Sequence, residues 1–371
     1  MAMVTEMQPL RRTHSRARRV ITALACAAAL AGPAACGDDT TSSPSPSNGP
    51  AADPHRPVDL QSHRGGRGLL TEESLAAYSH SLELGVTTLE LDIGLTADKV
   101  PVIWHDATIQ ADKCADTAPA VPNDPQFPYV GKTIHELRYD QVRTLDCSKQ
   151  LSNFPQQRPV PGNRIARLPE LFELVRGYPG AFDAIRYNIE TKIEAEHPEQ
   201  TAPPQEFVDI VLDEVARAGA TGKVEIQSFD WSSLPLVKRK NPDVPTVALY
   251  DDTTFVPGSR WLGPVRYEDH AGDPLGAIAA LGANIASPSY VPGENSPAAV
   301  GDPGFLFTAD ADYVRRAHDK GLKVVPWTVN DEATIAAQLD TGVDGVITDY
   351  PDRGRNALQS KGFPLPPSYR K

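Results

Sequence analysis

From residue 58 onward the chain alternates short β-rich runs with longer stretches of helical character, and this alternation admits few folds. Candidate strands cover residues 58–62, 87–93, 100–104, 184–190, 223–228, 246–250, 283–286, 323–327 and 345–348. Between them lie helix-like segments such as "LTEESLAAYSHSLELG", "LPELFELVRGYPG", "PQEFVDIVLDEVARAG" and "ADYVRRAHDKG". Each of these closes on a glycine suited to a helix C-terminus. The pattern implies an α/β fold with a parallel sheet. Nine strands are one too many for an eight-stranded barrel. The 87–93 and 100–104 runs, however, leave no room for a crossover helix and must form an antiparallel hairpin. Eight parallel strands remain, so the expected fold is a TIM (β/α)8 barrel. An open doubly wound sheet is the alternative, but no Gly-rich dinucleotide fingerprint follows the first strand in the correct spacing.

Residues 107–168 break the rhythm. This Pro-, Asp- and Asn-rich stretch, with one short helix, is expected to be a loop-rich insertion over one face of the barrel. It contains Cys114 and Cys147. Of the other two cysteines, Cys26 falls within an N-terminal segment with a basic start (Arg11, Arg12, Arg16, Arg18, Arg19) and an apolar run from Val20 to Leu30. That layout is an export signal over residues 1–35, too short to span a bilayer as a mature helix. Cys36 then opens a Ser/Pro-rich tether, 36–57, like a bacterial lipoprotein junction, although Pro33 stands where such junctions usually carry Leu. The barrel domain is expected over 58–371. An extracytoplasmic protein follows, lipid-anchored at Cys36 or secreted. In that compartment Cys114 and Cys147 are expected to form one disulfide, the alternative being two buried thiols, with few apolar residues in the loop to build a local core.

Charge narrows the partners. The full chain carries a formal −12; residues 1–35 hold five Arg and one Glu, so the remainder has 31 basic against 47 acidic residues. Such a surface offers no electrostatic footprint for nucleic acid.

His63, Glu90 with Asp92, Glu190 with Lys192, Gln227 and Trp327 fall at or just beyond C-terminal strand ends. In a barrel those ends converge on one rim. Three converging carboxylates repel one another unless something neutralises them, and a divalent cation is the simplest remedy. Glu90 and Asp92 are two apart and share a face; with Glu190 they form an all-oxygen set that suits Ca²⁺ or Mg²⁺ rather than zinc. With Asp98-Lys99 as a two-residue hairpin turn, His105 stands opposite Asp92, within about 5 Å. A histidine so placed suits proton transfer near neutral pH. Asp106 either orients its ring or begins the next loop. Arg64 and Lys192 add cations to an acidic rim, which points to an anionic substrate, phosphate above all.

The ordered motifs "HRGG", "LTEESL", "ELDIGLTADKVPVIWHD", "NIETK", "QSF", "PWTVN" and "GVITDYP" resemble those of the glycerophosphodiester phosphodiesterase family, from residue 60 to about 352. The resemblance implies a TIM barrel, one Ca²⁺ or Mg²⁺ ion, and cleavage of a small-molecule glycerophosphodiester to sn-glycerol 3-phosphate and an alcohol. By position, His63 and His105 match the acid/base pair, Arg64 the phosphate contact, and Glu90, Asp92 and Glu190 the metal ligands. Lys192 matches a phosphate-side lysine and Trp327 an aromatic at the substrate mouth; Gln227 joins them as a substrate-side residue. The attacking oxygen is then either water or the glycerol hydroxyl, the latter through a cyclic phosphate. Two departures stand out: Thr71-Glu72-Glu73 replaces the family's usual Pro-Glu-Asn, and the 107–168 insertion is long. Rival expectations are a related barrel cleaving intact phospholipid or an envelope glycerophosphate polymer, and a non-catalytic substrate-binding lipoprotein.

Overall fold

In the computed structural model, which describes residues 56–293 and 295–371, the expected alternation resolves into one sheet. Its strands are β1 (Asp59–Ser62), β2 (Thr88–Leu95), β3 (Pro101–Ile103), β4 (Arg186–Thr191), β5 (Val224–Ser228), β6 (Thr246–Tyr250), β7 (Ile285–Pro288), β8 (Lys323–Val324) and β9 (Gly345–Thr348). The order is β8-β7-β6-β5-β4-β2-β1-β9, with β3 attached antiparallel to β2. The ring closes between the ends of this series: Ile347 N–H donates to Pro326 O at 3.0 Å and Asp344 N–H to Val324 O at 2.8 Å. Closure excludes the open doubly wound sheet. The export signal over 1–35, with Cys26, the Cys36 junction and the tether as far as residue 55 lie outside the described residues.

A helix follows each parallel strand, the first being α1 (Leu75–Leu84) after β1. It starts later than its sequence motif because Ser74 caps it, its Oγ accepting from Ala77 N–H at 3.0 Å. Strand alternation sorts β2 into two faces. Leu89, Leu91 and Ile93 pack outward among the buried helix residues, while Thr88, Glu90 and Asp92 take the other face, the barrel interior. Parallel register carries that face round the ring: Asp92 stands opposite Glu190, and Glu190 opposite Gln227. One side of the interior is apolar, formed by Val247, Ile285, Val325 and Ile347 with Trp327 against them. The other is an amide chain. Asn188 Nδ2 donates to Gln61 Oε1 (2.8 Å) and Gln227 Oε1 (2.9 Å), and Gln227 Nε2 donates to Glu90 Oε1 (2.6 Å).

Three expectations need correction. The β2–β3 hairpin pairs Ile93 with Ile103 and Leu95 with Pro101, so Trp104, not His105, stands opposite Asp92, whose carbonyl accepts from Trp104 N–H at 3.0 Å. The turn has three residues, Ala97, Asp98 and Lys99, with Lys99 in the left-handed region (φ 63°), and this shifts the pairing by one. Strand β8 is only two residues long: Val325 N–H still donates to Ala286 O (3.1 Å) and Trp327 N–H to Pro288 O (3.0 Å), but Pro288 of β7 has no N–H to return to Val325. Finally, the 107–168 insertion has its own core: Trp104, Ile109, Tyr129, Ile134, Leu137, Val142 and Leu145 pack around the bonded pair Cys114–Cys147 (S–S 2.07 Å). The expected disulfide is present, but the thin local core is not.

Candidate active site

The chain leaves β1 through a tight left-handed turn over the barrel mouth. Arg64, Gly65 and Gly66 have φ of 50°, 76° and 86°. Glycine is required at the last two, since a Cβ on Gly65 would lie 3.0 Å from Ala77 Cβ, and one on Gly66 3.1 Å from Pro351. The turn brings Arg64 N–H to 2.8 Å from Glu90 Oε2. The Arg64 side chain then reaches Asp92 Oδ2 with Nε at 3.1 Å and Glu72 Oε2 with Nη1 at 3.5 Å.

Glu90, Asp92 and Glu190 converge as the sequence implies. One oxygen from each lies within 4.8 Å of the others, and all three side chains are buried. Lys192 Nζ is 2.6 Å from Glu190 Oε1 and 3.8 Å from Asp92 Oδ1. Two cations therefore face three carboxylates, and the shortfall is visible. Burial, reinforced by Asp92, pushes the Glu90 carboxyl well up. Burial likewise pushes Glu190 up to about 7 despite Lys192. Burial opposes ionisation of Asp92 as well, but there the charges of His105, Arg64 and Lys192 win and hold it well below the usual range. Neither Asp92 oxygen accepts a hydrogen bond among the described residues. An all-oxygen cluster, short of positive charge and with both Asp92 oxygens held only by ion pairs to Arg64 and Lys192, fits a hard divalent cation.

Both histidines reach the same cavity, of about 210 Å³, lined also by Arg64, Arg67, Glu90, Glu190, Gln227, Phe229 and Trp327. His63 Nδ1 is 2.5 Å from Asp349 Oδ1. Asp349 is itself pinned: Oδ2 accepts from Asn330 Nδ2 at 2.7 Å and its N–H donates to Asn330 Oδ1 at 2.9 Å. His105 leaves the hairpin ladder, with its N–H held by Glu73 Oε2 at 3.1 Å and Nδ1 3.0 Å from Asp106 Oδ1. Each ring thus has a carboxylate at Nδ1, which fixes its orientation and leaves Nε2 for chemistry. Burial lowers the pKa of both rings, for His63 against the pull of Asp349, and for His105 with Arg64 and Lys192 adding to the effect.

The remaining sequence candidates fall as follows. Gln227 lines the cavity with its amide committed to Glu90. Trp327 packs edge-on against Phe229 at 5.3 Å and donates from Nε1 to Ser287 O at 2.9 Å. Lys192 is turned to the carboxylates, its Nζ 5.9 Å from the Phe229 ring, and is not among the cavity-lining residues. Sequence reasoning missed Asp349, Asn330, Glu73 and Arg67. Asp349 lies inside the quoted "GVITDYP" run, yet nothing local distinguishes it from a helix-opening acid. Arg67 lines the cavity beneath the Phe154 ring of the insertion (4.6 Å), its Nε 2.8 Å from Glu72 Oε2. Glu72, at the first departure from the family motif, faces three cations. Burial opposes its ionisation, yet Arg64, Arg67 and Lys113 hold it below its usual range. A larger concavity of about 490 Å³ lies at Asp252, Thr253, residues 292 and 293, and residues 295–297. Its described lining carries only Asp252 as a charged group, so the chemistry belongs to the smaller cavity.

The sequence model of the glycerophosphoryl diester phosphodiesterase family matches residues 63–353. A glycerophosphodiester phosphodiesterase of Caldanaerobacter subterraneus subsp. tengcongensis is 24% identical over 300 residues, 81% of this chain and 97% of the relative. Lysophospholipase D GDPD1 of Homo sapiens is 24% identical over 310 residues, 81% of this chain and 85% of the relative. Among solved structures, a Silicibacter pomeroyi DSS-3 protein assigned to the same enzyme class superposes with a TM-score of 0.67 at 29% identity, covering 85% of this chain and 96% of its own. An Oleispira antarctica phosphodiesterase, solved with the product sn-glycerol-3-phosphate, shares the fold at a TM-score of 0.57 and 18% identity, over 81% and 96% of the two chains.

Proposed function

The chain belongs to the glycerophosphoryl diester phosphodiesterase family, and from that premise we propose a metal-assisted hydrolysis in which His63 and His105 move the protons. The chain is an enzyme, a phosphoric diester hydrolase. Its proposed substrates are glycerophosphodiesters, cleaved to sn-glycerol 3-phosphate and an alcohol; the product bound by the Oleispira antarctica phosphodiesterase is of this kind.

What carries the reading is one small cavity that holds two carboxylate-anchored histidines beside a buried three-carboxylate cluster. Glu90, Asp92 and Glu190 would hold one Ca²⁺ or Mg²⁺ ion, which when bound supplies Lewis-acid polarisation of a phosphoryl oxygen. Arg64 and Arg67 would draw the phosphate in, with Lys192 balancing the carboxylates behind it. One ring accepts the proton of the attacking hydroxyl at Nε2. The other donates a proton to the departing alkoxide as the phosphorus–oxygen bond breaks. Because one ring starts neutral and the other protonated, rate against pH is expected to be bell-shaped. Phe229 and Trp327 wall the cavity on its aromatic side and would exclude water around the glycerol portion. With water as nucleophile the products form directly. With the glycerol 2-hydroxyl, a cyclic glycerophosphate forms first, and single-turnover ³¹P spectra separate the two routes.

Similarity to lysophospholipase D GDPD1 favours a second reading, in which the diester still carries an acyl chain. Assay of glycerophosphocholine beside lysophosphatidylcholine, each with and without EDTA, decides between them. Turnover of neither substrate would direct the search to another diester, an envelope glycerophosphate polymer first. From the N-terminal layout we also propose export with a lipid anchor at Cys36; Cys36→Ala should move the protein from the membrane to the soluble fraction.

A further inference from the structure

The insertion sends one half-buried cation to the edge of the site. Lys113, 13% exposed, places Nζ 2.6 Å from Glu72 Oε1 and 2.5 Å from Asp106 Oδ2. Each carboxylate is divided between this lysine and a group lining the cavity. The second oxygen of Asp106 lies 3.0 Å from His105 Nδ1. The second oxygen of Glu72 lies 2.8 Å from Arg67 Nε and 3.5 Å from Arg64 Nη1. We propose that Lys113 is a positioning residue for the phosphodiesterase reaction, orienting His105 through Asp106 and the two arginines through Glu72.

The physical case is one of competition. A carboxylate has two oxygens and turns freely about its last bond, so it aims a histidine or guanidinium only if its other oxygen is engaged. Lys113 engages both at once. Without it, Asp106 and Glu72 have no shared cation between them, and either can turn away from its partner. The lysine is itself held firmly. Its N–H donates to Gln110 O at 3.2 Å, its carbonyl accepts from Lys149 N–H at 3.3 Å, and Nζ lies 5.4 Å from the Trp104 ring. The next residue, Cys114, is bonded to Cys147. The insertion therefore completes the site rather than merely covering it, with one ammonium reaching both the proton-transfer and the phosphate-binding groups.

This inference rests on the acid–base reading above, and its test keeps the two apart. Lys113→Met, Lys113→Arg, Asp106→Asn and the Lys113→Met/Asp106→Asn double variant are assayed on glycerophosphocholine. Binding of sn-glycerol 3-phosphate is followed by calorimetry, and folding by thermal denaturation. Lys113→Met is expected to lower kcat by about 10- to 100-fold, the range for groups that orient a reacting side chain. It should also weaken product binding several-fold through the arginines. Lys113→Arg, which keeps a cation, should restore most of both. In the double variant the loss in kcat should be no deeper than the larger single loss, because the two residues act in series. A folded Lys113→Met with kcat within twofold of wild type, or single losses that multiply, overturns the inference. If Lys113→Met does not fold, Lys113→Arg decides: a normal melting temperature with more than tenfold loss of kcat counts against it, and retained kcat supports it. Wild-type protein inactive on every diester overturns the functional reading itself; wild type active with Lys113→Met unchanged overturns only the role of Lys113.

Discussion

His63 Nδ1 and Asp349 Oδ1 lie 2.5 Å apart although 286 residues separate them in the chain. Asp349 can serve as the orienting carboxylate because its other oxygen and its N–H are both tied to Asn330. Asn330 cannot reverse its amide, since Oδ1 already accepts from Asp349 N–H. In Asp349→Asn the single amide oxygen would therefore stay with Asn330, and the NH₂ would face His63 Nδ1. The ring is forced into the tautomer with its proton on Nε2. The expected result is a loss in kcat of about 10²- to 10⁴-fold, the range for an acid–base group, with little change in KM or melting temperature. Kinetics of Asp349→Asn beside Asp349→Ala test this; equal and mild losses would refute the tautomer argument.

The carboxylate cluster predicts metal binding that can be read without turnover. Removal of metal by EDTA should abolish activity, and Ca²⁺ or Mg²⁺ should restore it. Either ion that binds should raise the melting temperature in proportion to its concentration over its Kd, because only the folded chain assembles the three oxygens. Glu190→Gln should remove both effects while the fold persists. Calorimetric titration of the metal-free protein checks this, and full activity after exhaustive EDTA treatment would disprove it.

At the opposite end of the interior, Gln61 Nε2 donates to both Asp59 Oδ2 (2.9 Å) and Glu225 Oε1 (3.1 Å). Burial, then the nearby Asp59 charge, pushes Glu225 up to about 7. Its folded pKa is thus above its unfolded value, so the folded state binds this proton more tightly. Stability from the site is full below about pH 4.3 and is lost as the pH rises towards 7. Glu225→Gln should therefore raise the melting temperature at pH 8 and change it little at pH 4.5. The shift corresponds to roughly 4 kcal/mol at most. Scanning calorimetry of both proteins at the two pH values provides the comparison; an equal effect at each would remove the titration argument.

Cys114 and Cys147 close a loop of sequence separation 33 around the core of the insertion. Chain-entropy arguments give roughly 3–4 kcal/mol for such a loop. The Cys114→Ser/Cys147→Ser variant should unfold at lower denaturant concentration. Its activity should fall as well, because Lys113 is the neighbour of Cys114. Chemical denaturation and kcat of the double variant measure both. Thiol titration of the denatured, unreduced wild type should find neither cysteine reactive.

Much of this protein was written locally. Strand and helix periodicities specify an α/β barrel, and the two-residue spacing of Glu90 and Asp92 puts both on one face whatever their neighbours do. The tight HRGG turn, the single hairpin and the interruption at 107–168 are also legible, because each depends on residues close in sequence. Longer-range relations are not. The pairing of His105 was misplaced by one residue because a left-handed Lys99 made a three-residue turn, a choice that composition does not announce. Asp349 and Asn330 meet His63 only because β9 returns to pair with β1 as the ring closes. Lys113 reaches Glu72 and Asp106 only once the insertion folds back on its own apolar core. Periodicity is a property of a single segment and survives in any context, whereas the partner of a buried charge is decided by whichever segments closure brings within about 3 Å. The sequence by itself determined the barrel and the inventory of its rim. Only the tertiary structure decided which carboxylate holds each histidine and which cation holds the carboxylate.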